Sequence, residues 1–263
     1  MKAVWVIVRK EWREVFRNRM VIFTVAFLPL ILTAIPIGIL ASTRGGGGAG
    51  DFSTMDLPSG FERLCGGLTG TACAQYALVS QFMLLFMMIP LMIPVTIASY
   101  SIVGEKITRT LEPLLATPIS TLQLLSGKAL AAVLPAVAAT WGGFAVFAFS
   151  ARFVVVGPEV VARLADPLWL LAIFLVGPLL ALASVSAAVM VSSRSTDPRA
   201  AEQVAMVVIV PLLGLFFGQI AGLIFLNARL VAWMAAGLTV IDVGLLAFAV
   251  GLFQREAILT RWR

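Results

Sequence analysis

Gly104–Lys128 reads GEKITRTLEPLLATPISTLQLLSGK. These 25 residues hold charges, threonines and two prolines, and they interrupt long runs of Leu, Ala, Val, Ile and Met on either side. What the flanking runs are decides what the insert is. Soluble domains carry roughly a quarter charged residues; this 263-residue chain carries 12%, is 60% hydrophobic and has a mean hydropathy of +1.02. A water-soluble fold of this length has too little interior for so much apolar surface, so its solvent is lipid.

A helix needs about 20 apolar residues to cross the hydrocarbon core. Working outward from the insert, the charges bound six such runs: about 20–41, 76–103, 129–151, 167–191, 204–226 and 230–253. The second is carved from a 41-residue uncharged run between Arg63 and Glu105, whose first part Gly66, Gly67 and Gly70 mark as loop. The last two spans are separated only by Asn227–Arg229, which predicts antiparallel neighbours. The fold expected is an all-α membrane protein forming one domain over 1–263, with no internal repeat.

An even number of spans puts both termini on one side. That side's loops hold 14 of the 19 Lys and Arg, and the other side's hold 5. The positive-inside rule then makes both termini, and the insert, cytoplasmic. Trp169, Trp233, Tyr76 and Tyr100 fall near the expected interfaces. The net charge of +6 and pI near 10.0 follow from this loop asymmetry; no basic stripe with interleaved aromatics points to nucleic acid. The absence of histidine removes His-dependent metal and triad chemistry.

Residues 2–19, KAVWVIVRKEWREVFRNR, are too polar to span. Trp5, Val8, Trp12, Val15 and Phe16 recur at helical spacing opposite Arg9, Lys10, Arg13, Glu14 and Arg17, which reads as an amphipathic helix lying in the membrane surface; the plainer alternative is a helix docked on protein. The 19-residue polar start and the absence of an A-x-A site argue against a cleaved signal. Cys65 and Cys73 share a loop on the exterior side and are expected to pair, free thiols being the alternative. Asp242 sits near the middle of the sixth span, where an aspartate costs about 2.5–3.5 kcal/mol. It must face protein or a wet path; Gln219 of the fifth span is its candidate hydrogen-bond partner.

Connectors between packed helices usually run about 2–8 residues, so a 25-residue insert has room for a use. Pro118, with Ser120, Thr121 and Gln123 close by, starts a short helix whose Ile119, Leu122, Leu124 and Leu125 offer apolar knobs to a soluble partner. LLSGKA contains Gly-Lys but lacks the earlier Gly and the following Ser/Thr of a phosphate-binding P-loop.

EKITRTLEPLLATPISTLQLLSGK closely resembles the cytoplasmic loop of ABC-2-type transporter permeases, commonly EK-x-x-x-T-L-E-P-L-L-A-T-P-[IV]-S with a downstream Gly-Lys. The KEWRE…RNR helix looks like that family's elbow helix, and LFQREAIL like its usual C-terminal exit. The resemblance implies a permease half without an engine: two six-span subunits, as homodimer or heterodimer, with separate cytoplasmic ATPase subunits that bind the ATP and Mg. This chain would itself bind no cofactor or metal and catalyse nothing. The match places Glu105, Lys106, Thr110, Glu112, Pro113, Pro118, Ser120 and Leu122 in an ATPase-coupling segment between spans 2 and 3 of a plasma (inner) membrane exporter. Arg109 departs from the family's small residue and receives no role. The competing reading is a secondary carrier or channel, which usually shows several charges within its spans; an intramembrane enzyme finds no GxSxG motif, histidine or aspartate pair.

Overall fold

The computed structural model describes residues 2–44, 65, 67–68, 70–108, 120–155 and 157–252. Among them every regular element is helical, and six stretches are long and apolar enough to cross a membrane: Val21–Thr43, Gly70–Ile107, Leu122–Val154, Val160–Arg194, Pro198–Ile220 and Ala228–Phe248.

The elements are α1 (Lys2–Val15), α2 (Arg19–Arg44), α3 (Gly70–Phe86), α4 (Ile89–Ile107) and α5 (Thr121–Val154). There follow α6 (Pro158–Leu164), α7 (Pro167–Leu171), α8 (Gly177–Arg194), α9 (Pro198–Ala205), α10 (Val210–Ile220) and α11 (Ala228–Leu252). The second span, α3 with α4, is the most buried and forms the centre. α4 packs on α8, α5 and α9, and α2 flanks α5. The end of the bundle that carries α1 is called the base here.

The second span begins earlier than the sequence suggests, at Gly70, and is broken at Met87–Met88. Pro90, two residues into α4, cannot donate to the Phe86 carbonyl, so the ladder restarts there. Cys65 and Cys73 are joined by a disulfide that ties the chain before α3 to its first turns.

The fourth span solves a proline problem differently. Ala172–Val176 widens into a π-turn, with the Gly177 N–H bonded to the Ala172 carbonyl. The Ile173 carbonyl then has no partner on its own helix, because Pro178, the next residue along, has no N–H. The Trp141 indole N–H of α5 donates to it at 3.3 Å. Trp141→Phe keeps the ring and removes the donor. It should lower unfolding stability in detergent by about 1–3 kcal/mol, the cost of an orphaned buried carbonyl; an unchanged melt would show that the carbonyl needs no such donor.

The final pair corrects two expectations. The fifth span ends at Ile220, six residues before the expected Leu226, because Gly222 adopts φ +70° and carries the chain out of the helix. Asn227 then starts α11 by accepting the Leu230 N–H at 2.8 Å. Nor are the two helices close neighbours along their length: α10 leans on α3, while α11 leans on α8.

Candidate functional site

The insert enters at the base from α4 and leaves into α5. Ser120 and Gln123 form a reciprocal capping box, each side chain accepting the other's backbone N–H at 3.2 Å. The helix they start does not stop at Gly127. The short helix expected to start at Pro118 is, from Thr121 on, the first turns of α5 rather than a separate element. With 34 residues, α5 is roughly 51 Å long, against a hydrocarbon core of about 30 Å, so the helix extends well beyond it. Gly127 is no breaker here. A Cβ on it would lie 2.8 Å from Ile7 Cγ2, so α1 presses against α5 here and leaves no room for a side chain.

Along this contact lies a buried charge cluster. α1 turns Ile7, Val8, Glu11 and Val15 inward, a stripe at helical spacing that includes an acid. Glu11 accepts Lys128 Nζ at 2.8 Å and the Ser101 hydroxyl of α4. Lys128 also donates to Ser101 at 2.8 Å and pairs with Glu105 at 2.8 Å. The other Glu105 oxygen takes Lys10, which reaches Glu14 on the rim at 3.4 Å. Three carboxylates thus converge, but their oxygens are engaged by two ammonium groups, which makes the cluster an ionic lock between α1, α4 and α5.

The charges set each other's titration. Burial opposes ionisation of Glu11, but Lys128's charge and hydrogen bond, the Ser101 hydroxyl and Lys10 outweigh it and hold its carboxyl below the ordinary 4.5. Burial likewise opposes the Lys10 ammonium, and the Glu105 bond together with the charges of Glu105, Glu11 and Glu14 raises it above 10.5.

Lys106 points elsewhere. It donates to the Ser193 and Ser195 carbonyls at 3.2 Å, neutralising the C-terminus of α8. Thr96 of α4 donates to Glu202 of α9, so the middle of α4 is tied to the fifth span as well. Of the expected coupling residues, then, Glu105 belongs to the lock, Lys106 caps α8 and Ser120 caps α5. Leu122 is left 62% exposed on the first turn of α5. Thr110, Glu112, Pro113 and Pro118 lie outside the described residues.

Sequence reading missed Glu11, Ser101 and Lys128. Glu11 offered a signal: it lies on the 7–8–11–15 stripe, and a buried acid needs a buried cation. The face read as apolar is only partly the docked one, since Trp5 stays 59% exposed while Trp12 donates its indole N–H to the Ala131 carbonyl at 2.9 Å.

The intramembrane pair does not meet. Gln219 and Asp242 are 1% and 3% exposed, yet among the described residues neither the Gln219 amide atoms nor the Asp242 oxygens have a hydrogen-bond partner. The expected bond between them fails because α10 and α11 lean on different neighbours.

Compared with known families, residues 5–250 match the one described as ABC-2 family transporter protein. A comparison with curated proteins finds no match.

Proposed function

Because the chain belongs to the ABC-2 family of transporter proteins, we propose that this multi-pass membrane permease is half of an ATP-driven exporter, and that its base receives the force. In this reading 1–263 form a single transmembrane domain with both termini in the cytoplasm of a plasma (inner) membrane, as the Lys/Arg count favours. A second permease subunit completes the path. A separate cytoplasmic ATPase holds ATP and Mg, since this chain has no P-loop.

The observation that carries the reading is the continuity of α5. A helix with a capped start and an exposed Leu122 runs unbroken for 34 residues into the bundle. A push on its first turn displaces the third span as one body. Through Lys128 the same push reaches α1 and α4. Thr110, Glu112, Pro113 and Pro118 complete the docking segment, Leu122 is its apolar contact, and Glu105, Lys106 and Ser120 hold it in place.

The test uses the complex with its ATPase subunit. Leu122→Asp, which places a charge where an apolar contact is needed, and Glu112→Ala should each cut substrate-stimulated ATPase activity at least severalfold while leaving membrane insertion intact. Normal transport by both variants would leave the segment a plain connector. Transport that requires no nucleotide would favour a secondary carrier instead.

A further inference from the structure

Between α10 and α11 the bundle is open. The two helices lean on α3 and α8 respectively, and the wedge between them is a cavity of about 700 Å³. Leu84, Trp169, Leu212, Met234, Gly237 and Leu245 are among its lining, which is apolar throughout. On α11 the lining runs from Leu230 to Leu245, roughly 22 Å at 1.5 Å per residue, against a hydrocarbon core of about 30 Å. The space is therefore a slot along the span direction rather than a compact chamber. It is partly open, and Val207 and Ile241 in its wall are 68% and 53% exposed.

Protein interiors pack to crystal density, and voids much larger than a water molecule are few. Water does not fill a space of this size when its wall offers almost no polar group. The volume falls within the range of ligand pockets, about 300–1,000 Å³. We propose that this slot is a binding site for one acyl chain of a bilayer phospholipid, held extended between the fifth and sixth spans. The slot's length along the membrane normal, its hydrocarbon wall and its opening on the bundle surface select an extended chain over a compact solute. The site does not depend on ATP coupling, so it stands or falls separately from the exporter reading.

Trp169 makes the site measurable, because it lines the slot and is only 4% exposed. The whole chain is reconstituted in vesicles of phosphatidylcholine carrying bromine on its acyl chains, and in the unbrominated lipid. The Trp169 emission is isolated by difference from a Trp169→Phe chain. Bulk lipid cannot reach this buried indole, so the expected result is that brominated lipid quenches most of its emission. Gly237→Leu should restore it: Gly237 lines the slot and a Cβ there meets nothing within 4 Å, so the added side chain enters open space and takes up room the acyl chain needs. Trp233, which is 72% exposed, serves as the lipid-facing control and stays quenched in both chains. Unquenched Trp169 beside quenched Trp233 overturns the proposal, as it would if a second copy of the chain covered the slot. Quenching that Gly237→Leu leaves unchanged also overturns it. The first comparison needs no slot variant, so it remains decisive even if Gly237→Leu fails to insert.

Discussion

Replacing Lys128 by methionine lowers the stability of the folded chain by about 3–5 kcal/mol, the cost of stripping one partner from a buried ion pair. Lys128 is the hinge pin of the lock: it pairs with Glu11 and Glu105 at 2.8 Å each, and all three side chains are about 95% buried or more. Methionine retains the length of the stem but leaves two facing carboxylates, with Lys10 hydrogen-bonded to Glu105 and only 3.8 Å from Glu11 to offset them. The measurement is thermal unfolding in a mild nonionic detergent. Glu11→Gln in the same chain should recover a large part of the loss, because it removes the carboxylate left uncompensated; a single variant that melts like wild type would mean that the lock contributes nothing. pH gives a second view of the same cluster. Glu11's lowered value means that its contribution is complete above 4.5 and lost as pH falls through the folded value. Lys10's raised value means that its contribution is complete below 10.5 and lost as pH rises through the folded value. The lock is therefore fully engaged between those limits, and Lys128→Met should flatten the acid limb of the stability profile.

Asp242→Leu has the opposite sign. It should raise unfolding stability by about 2.5–3.5 kcal/mol, the cost of an aspartate at the centre of a span, and abolish most transport. Among the described residues neither Asp242 oxygen has a hydrogen-bond partner, and Gln219, the residue expected to pair with it, makes no bond to it. A buried carboxyl without such a bond costs stability, and the transport measurement decides whether that cost serves activity. Asp242→Asn separates charge from shape: transport lost with stability and assembly intact points to the charge. A leucine variant that melts lower than wild type would overturn the assignment by showing that the aspartate is structural.

The legible part of the fold was the part written in single residues. Charges bounding apolar runs located six spans, and the 7–8–11–15 spacing of α1 was there to be read. Pro90 and Pro178 each remove a hydrogen-bond donor from their span, but that alone does not say what happens there: one span breaks, and the other widens with Trp141 taking the freed carbonyl. The lock was not legible because Lys10 and Glu11 of α1 lie 90 to 117 residues in sequence from Ser101, Glu105 and Lys128. The insert was recognisable as a pattern, yet its helix runs on through Gly127 into the third span, where Gly127 packs on Ile7 of the distant α1.

The 117 residues between Glu11 and Lys128 also impose a schedule. Chains are synthesised at roughly 5–20 residues per second, so α1 waits roughly 6–25 seconds before its counter-ion exists. Trp12 waits longer still, because its acceptor is the carbonyl of Ala131. Throughout that interval the nascent helix has Glu11 without Lys128 on one flank and Trp5 on another, and the bilayer surface is the available host for it. The lock can close only after the second span and the first turns of α5 have been made, so its closure follows the synthesis of Ser101, Glu105 and Lys128.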